Sequence, residues 1–473
     1  MQIEVLGLIA FGFGLLGWVV GPGLSIPVLF VSTLLGAAAA ITVTSLGDAN
    51  IQPAHLMLGF VTVAALANRD LSVTAARALS FPRAGFWLLL TGAYAAVSAV
   101  IFPRLFAGAT YVFAIARTEI GPGIIAMPLA PTSGNITQTV YFLGDIVCFV
   151  VFYAYACKPA GLKAITYAAI AAAALDLAFA AIDLGGYWTG AGDLLAFLRN
   201  GSYRMLDDTV ILDFKRIVGS FPEASTFAYF TLGFFAFCAK LWLDGIKTKL
   251  TGPLAFLLLV TLFFSTSSTG YVGTAGLLAA LFVTSLVGLS TGPVTPRMLA
   301  SGTIAPLLVA VLLIGVRLDQ PVWNVFQSMV EKTLLDKATT QSGIEREKWN
   351  VQALTNFSDT EWLGGGVGSV RASSFPIAVL GNIGAIGAAT YASFLFVLLF
   401  RRKNRWAAPF PAACQSAARW ACLAQLIGAS VSSSFIDLAL PFFIFAGLAC
   451  AGPEPARSPR TRPAERPLVA AYV

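Results

Sequence analysis

Two basic clusters in this chain have the composition of an anion site. The first is Lys215-Arg216, which leads into Gly219-Ser220-Phe221-Pro222-Glu223-Ala224-Ser225 at the start of a hydrophobic run. The second is Glu345-Arg346-Glu347-Lys348-Trp349, followed by Gly366-Val367-Gly368-Ser369-Val370-Arg371-Ala372-Ser373-Ser374 just before another run. The planar guanidinium fork matches phosphate oxygens. Glycine lets backbone N–H groups approach an anion, and a helix N-terminus adds a favourable dipole. Such a set predicts a membrane-level receptor for a lipid pyrophosphate. A plainer reading stands beside it. Arginines at helix ends also reach to headgroups or pair with Asp207, Asp208, Asp213 or Glu345, and glycines also serve tight turns and close helix packing.

Glu223 is a carboxylate at a helix start, where the dipole stabilises it. Its place beside the basic residues also suits it to take a proton from an attacking hydroxyl, with Asp359 and Glu361 as weaker candidates. Asp145, Asp176 and Asp437 fall inside apolar runs, where ionisable groups are costly and suggest proton-coupled transport. None has an evident basic partner at its depth in the sequence. Several chemistries lack their residues. There is no GxxxxGK[ST] phosphate loop and no HExxH, and His55 is the sole histidine. The Gly364–Gly368 stretch fails as a dinucleotide loop, because Arg371 takes the third glycine position and no strand precedes it. Neither a metal nor a cofactor is expected.

The elements that must position these residues are membrane helices. The chain has 473 residues, 57% of them hydrophobic and 11% charged, with a mean hydropathy of +0.80. A soluble domain carries about 25% charged residues, so this one cannot cover itself against water. Its apolar runs are continuous rather than alternating, which predicts helices and excludes a membrane barrel. The fold class expected is an all-α polytopic membrane bundle of about 12–13 spans. Spans are expected near 3–20, 25–45, 52–68, 84–102, 136–157, 161–182, 222–243, 250–268, 270–289, 299–316, 375–400, 413–430 and 434–452. The first run lacks the basic flank of a signal peptide and is expected to remain as a helix. Residues 1–452 form one membrane domain, and 453–473, rich in proline and arginine, read as a disordered basic tail.

Net charge is +7, but the basic residues sit in short clusters between apolar runs, which speaks for membrane orientation and against nucleic acid. Arg69, Arg77, Arg83, Lys158, Lys163, Lys240, Lys247, Lys249, Arg297 and Arg401–Arg405 fall in alternate short loops, which places those loops and the C-terminus in the cytoplasm. The long loops 183–221 and 317–374, with the shorter 103–135, then lie outside. In 317–374 the spacing of Val322, Phe326, Met329 and Val330, and of Trp349, Ala353 and Phe357, predicts helices lying on the membrane surface. All six cysteines lie in or at the ends of spans, so no disulfide is expected in the outer loops.

The segments Arg216–Ser225, Trp349–Phe357 and Leu363–Gly387, the last including Gly384-Ala385-Ile386-Gly387, resemble those of the bacterial O-antigen ligase/polymerase superfamily. The polymerase branch, which makes exopolysaccharide and O-antigen, fits best. Ligases of the superfamily place a histidine eleven residues before a GxxG pair, and here that position is Ser373. The resemblance implies a GT-C-like, metal-independent glycosyltransferase of the bacterial inner membrane. Its donor would be an undecaprenyl-pyrophosphate-linked oligosaccharide and its acceptor a lipid-linked repeat, with other polysaccharide-assembly membrane proteins as further partners. Arg216, Arg346 and Arg371 would hold the leaving pyrophosphate and Glu223 would activate the acceptor. Lys215, Lys348, Trp349, Gly366, Gly368 and Ser373 would line the substrate site. The alternatives are a ligase-type transferase and a transporter or flippase for lipid-linked sugars, though no internal inverted repeat is seen.

Overall fold

The computed structural model describes residues 1–46, 49–118, 121–201, 205–206, 208–211, 214–291, 296–304, 341–400 and 409–452, with scattered positions from 317 to 331. It is an all-α polytopic membrane bundle. Among the described residues six helices are individually long and apolar enough to cross a bilayer, or seven if one bent pair counts as a span. The six are α5 (Ala84–Leu105), α6 (Ser133–Ala156), α7 (Pro159–Thr189), α8 (Ala224–Leu243), α10 (Ser268–Thr291) and α12 (Phe375–Phe400). The bent pair is α3 (Pro53–Ala67) and α4 (Arg69–Ala78), which meet at 109°. Asn68 makes that break by capping α4, its Oδ1 accepting from the Asp70 and Leu71 N–H groups at 3.0 and 3.2 Å.

The remaining helices depart from the expected set of spans. The helices α1 (Val5–Val20), α2 (Pro22–Ser32), α9 (Thr248–Phe264) and α14 (Ala439–Cys450) are apolar but short. The helix α13 (Pro409–Ser432) is long but carries Gln415, Ser416, Arg419 and Gln425. The expected span 25–45 stops at Ser32. Beyond it Ala37–Ala40 are buried in turns, and the chain enters a small antiparallel sheet of β1 (Gln2–Ile3), β2 (Ile41–Val43) and β3 (Ala49–Ile51). Most of the span expected at 299–316 lies outside the described residues, as do Arg401–Arg405, the tail 453–473, and Val322, Phe326, Met329 and Val330.

Two further elements stand at one end of the bundle. The connection 103–135 holds a hairpin of β4 (Tyr111–Thr118) and β5 (Gly121–Pro128), which hydropathy alone did not reveal. In the loop before Phe375 lies α11 (Gln341–Asp359), as the Trp349, Ala353 and Phe357 spacing predicts. It packs on the hairpin and on α12 instead of lying free on a membrane surface. Ala353 is fully buried with Val112, Leu129, Val370, Ala372 and Ala378 in a small outer core. Asn356 Nδ2 donates to Thr110 Oγ1 at 2.9 Å and to the Tyr111 carbonyl at 2.6 Å, and Gln352 donates to the same carbonyl at 2.8 Å.

The main core runs through α14, every residue of which from Leu440 to Cys450 is buried. Its Phe445 packs against Phe30 of α2 and Phe237 of α8, with ring centroids 5.5 and 5.1 Å apart. Twelve helical residues reach only about 18 Å, well short of a ~30 Å hydrocarbon core. The non-helical stretch before α14 is therefore set into the bundle, where its carbonyls need protein partners. Tyr391 donates to the Ile436 carbonyl at 3.2 Å and Tyr229 to that of Leu438 at 2.6 Å. The span expected to begin at 434 thus opens with irregular backbone, which carries Phe435 and Asp437.

Candidate anion site

The first basic cluster is held by a carboxylate far away in sequence. Residues Val210–Ile211 and Phe214–Lys215 pair as a two-stranded turn, β6 and β7, at the end of the long connection from α7. Asp183, buried near the end of α7, forms an ion pair with Lys215 and lies 3.3 Å from Arg199. Its other oxygen accepts from the Val218 and Gly219 N–H groups at 3.0 and 3.2 Å, while Arg199 donates to the Gly219 carbonyl at 2.6 Å. Lys215, expected to touch substrate, is instead a buried anchor. Successive residues of an extended segment point to opposite faces, so anchoring Lys215 turns Arg216 the other way. Gly219, at φ +55°, closes the turn toward α8.

The second cluster is held by Asn382. This amide, buried in α12, accepts at Oδ1 from the Gly368 and Val370 N–H groups at 2.9 and 3.3 Å. Its Nδ2 donates to the Val370 and Ala378 carbonyls at 2.7 and 2.9 Å. The Gly366 N–H donates to the Asn382 carbonyl at 3.0 Å. Gly366 and Gly368 therefore do not form the expected anion cradle, because their N–H groups are already engaged inside the protein. Their need for glycine is steric and conformational. Both have positive φ, and a Cβ would lie 2.7 Å from the Ser98 carbonyl oxygen at Gly366 and 2.3 Å from that of Gly134 at Gly368. Asn135, in the first turn of α6, completes the hold by donating to the Val367 carbonyl at 2.7 Å and to Ser369 Oγ at 2.8 Å. Ser373 is buried and its N–H donates to Asn350 Oδ1 of α11 at 2.7 Å, another positioning contact.

So held, the loop presents Arg371 between two rings. Its Cζ lies 4.8 Å from the centroid of Trp349 on α11 and 5.9 Å from that of Phe435. This is the cation–π geometry that orients a guanidinium plane. Arg346 lies one helical turn before Trp349, and the exposed Lys348 lies beside it.

Two of the expected arginines, Arg216 and Arg371, lie within electrostatic reach of the expected carboxylate, and the third, Arg346, lies within reach of both. Burial lowers the Arg216 pKa, Glu223 pulls it back up, and Arg346 and Tyr271 also act on it. Burial likewise lowers that of Arg371, again with Glu223 raising and Arg346 lowering it. Both guanidinium groups remain charged, so each is held in a costly place. Each also has a buried Nε with no hydrogen-bond partner. Glu223 is the N-cap residue of α8, and Ser225 and Thr226 donate to its Oε1, the latter at 3.5 Å. Three guanidinium groups against one carboxylate leave an excess of positive charge that an anion would neutralise.

The weaker carboxylates divide. Asp359 accepts from Thr110 at 2.6 Å and clamps α11 to the hairpin, and Glu361 is exposed. Asp176 accepts from Thr231 at 2.8 Å. Asp145 and Asp437 lie near one another, and His55 lies within electrostatic reach of Asp437, a basic neighbour that the sequence did not disclose. Among the described residues no three of His, Cys, Asp and Glu are placed to share a metal ion. A cavity of about 230 Å³ lined by Pro82, Arg83, Phe149 and Tyr153 is built from the opposite ends of α5 and α6, away from the arginines.

Sequence reasoning missed Asp183, Arg199, Asn135, Asn382, Phe435 and Tyr271. Asn382 alone carried a signal, as an amide inside an apolar run. No family model matches the chain, and no curated protein matches it in sequence.

Proposed function

We propose that this protein is a polysaccharide polymerase of the outer face of a bacterial inner membrane, transferring an undecaprenyl-pyrophosphate-linked oligosaccharide to a lipid-linked acceptor repeat. The observation that carries this reading is the grouping of Arg216 and Arg371 with both Glu223 and Arg346, with two buried guanidinium nitrogens unpartnered. In the reaction an acceptor hydroxyl oxygen attacks the anomeric carbon of the donor. The anomeric C–O bond to pyrophosphate breaks, the leaving group departs with the electron pair, and the hydroxyl proton passes to Glu223. The arginines oppose the charge that develops on the leaving pyrophosphate, from partly buried positions that strengthen the interaction. Lipid tails would enter between helices whose outer faces are apolar, as at Phe256, Val287 and Phe400. Other membrane proteins of polysaccharide assembly are the natural partners. A ligase-type transferase would use the same donor chemistry with a different acceptor.

Purified protein incubated with lipid-linked repeat units should yield a polymer ladder without added nucleotide, and the ladder should survive EDTA. A requirement for a divalent ion would move the leaving-group role from the arginines to a Lewis acid. The grouping of Asp145, Asp437 and His55 favours a second reading, proton-coupled transport of lipid-linked sugars. The ladder separates the two, because a transporter in detergent makes no glycosidic bond.

A further inference from the structure

The turn between α9 and α10 holds a set of buried hydroxyl groups without partners. Thr266, Ser267 and Thr269 are each at most 1% exposed, and Thr266 Oγ1, Ser267 Oγ and Thr269 Oγ1 make no hydrogen bond. Tyr271 OH and Thr274 Oγ1, on the first turns of α10, are also buried and unpartnered. Ser265 shows the ordinary alternative, since its hydroxyl donates to the Leu262 carbonyl at 2.7 Å. A buried hydroxyl left unpaired costs about 1–3 kcal/mol, and native interiors leave few. Five within nine residues mark a place completed by something other than protein.

The surroundings say what that is. The hydroxyls sit at the N-terminus of α10, a helix of 24 residues, whose first N–H groups have no intrahelical acceptor and whose dipole favours negative charge. Gly270 stands against Ala228 near the start of α8, the helix that Glu223 caps, and Tyr271 lies within electrostatic reach of Arg216, so the turn adjoins the arginine cluster. Gly270 keeps the turn tight against α8, its missing Cβ standing 2.9 Å from Ser265 Oγ and 3.4 Å from Ala228 Cβ. Hydroxyls, helix-terminal amides and a neighbouring guanidinium are all donors. Their common ligand is a tetrahedral anion with several acceptor oxygens.

We infer that the Thr266–Thr269 turn is a second phosphate subsite, holding one phosphate of a lipid diphosphate while the arginines hold the other. The inference rests on the polymerase reading and assigns its donor headgroup to two adjoining subsites.

Binding of geranyl diphosphate, geranyl monophosphate and inorganic pyrophosphate to the full chain in detergent tests it. The compared proteins are the wild type, the double variant Ser267→Ala/Thr269→Val, and Arg216→Lys. The double variant keeps shape and removes only unpaired hydroxyls, so its melting temperature should not fall. It should bind geranyl diphosphate about tenfold or more weakly, since hydrogen bonds to a charged ligand are lost, and bind the monophosphate as the wild type does. Wild-type diphosphate binding in the double variant, with weakened binding in Arg216→Lys, overturns the second subsite and leaves the arginine site standing. An equal loss for both geranyl compounds also overturns it. A loss confined to inorganic pyrophosphate overturns the lipid assignment in favour of free phosphate. Unchanged diphosphate binding in both variants removes the pyrophosphate reading itself.

Discussion

Lys215 and Arg216 are neighbours of like charge, yet the fold gives them opposite duties, and this is where residue-scale predictions divide. Lys215 and Asp183 have side chains only 6% and 2% exposed. Removing one partner of such a pair strands the other, at a cost of about 3–5 kcal/mol. Lys215→Met should therefore lower the melting temperature, and any loss of polymer formation should follow the loss of fold and the freed direction of Arg216 rather than a lost substrate contact. Arg216→Lys and Arg371→Lys should do the reverse, keeping the fold and the charge but losing the bidentate fork and, at Arg371, the stacking on Trp349. Near-normal polymer from both lysine variants would return these arginines to a structural role. Glu223→Gln keeps the shape without the proton acceptor and should slow turnover by about 10²–10⁴-fold with donor affinity preserved. An active Glu223→Gln protein would leave acceptor activation to position alone. The residue types and the two segments were legible in the sequence. What separates Lys215 from Arg216 was not, because Asp183 stands 32 residues away on another element.

The elements that position the site depend on close approach, and close approach leaves a weak trace in hydropathy. The run Gly366–Gly368 reads equally as a phosphate cradle or as packing, and the neighbours Asn382, Ser98 and Gly134 decide for packing. Gly366→Ala and Gly368→Ala combine a strained positive φ with a clash against backbone. Each should cost about 1–3 kcal/mol or more, and each should depress activity by misplacing Arg371. A Gly368→Ala protein with unchanged melting temperature would refute this account. Elsewhere in the bundle, α8 and α13 pack through Gly233, whose missing Cβ lies 2.9 Å from Gln425 Cδ. Both amide atoms of Gln425 are buried without partners. Gln425→Met has similar volume and removes that penalty, so it should melt no lower than the wild type. A clear drop in melting temperature would mean that the amide has a partner in the membrane. The end of the span expected at 52–68 was readable in the sequence. The β4–β5 hairpin was not, since its apolar residues pass equally for part of a helix.

At the scale of the whole molecule, apolar length proved a better guide to the kind of fold than to the number of spans. The run Ala37–Ala40 is fully buried but is folded into turns, and α14 is half a span entered from irregular backbone. Hydropathy registers burial and not whether the buried backbone is helical, so it overcounts wherever irregular backbone is enclosed by protein. The alternation of ends was read more securely. The connections that carry the hairpin, Arg216 and α11 gather at one end, because α5 and α7 finish there while α6, α8 and α12 begin there. Arg83, Lys158 and Lys240 fall at the other ends of the same helices, and Lys247 follows the end of α8 in the turn to α9. By the excess of lysine and arginine in short loops, that second end is expected to face the cytoplasm and the arginine site to face outward. Reporter fusions make the test. Fusions within 69–83 and 240–249 should give a cytoplasmic signal, and fusions within 190–194 and 343–347 an external one. The two sets need to be read together, since a single fusion can disturb the loop it reports. External signals from 190–194 and 343–347 would put the cluster on the side where lipid-linked repeats await polymerisation. A cytoplasmic signal at 343–347 would turn Arg346 and its partners inward, and polymerisation at the outer face would then have no site in this protein.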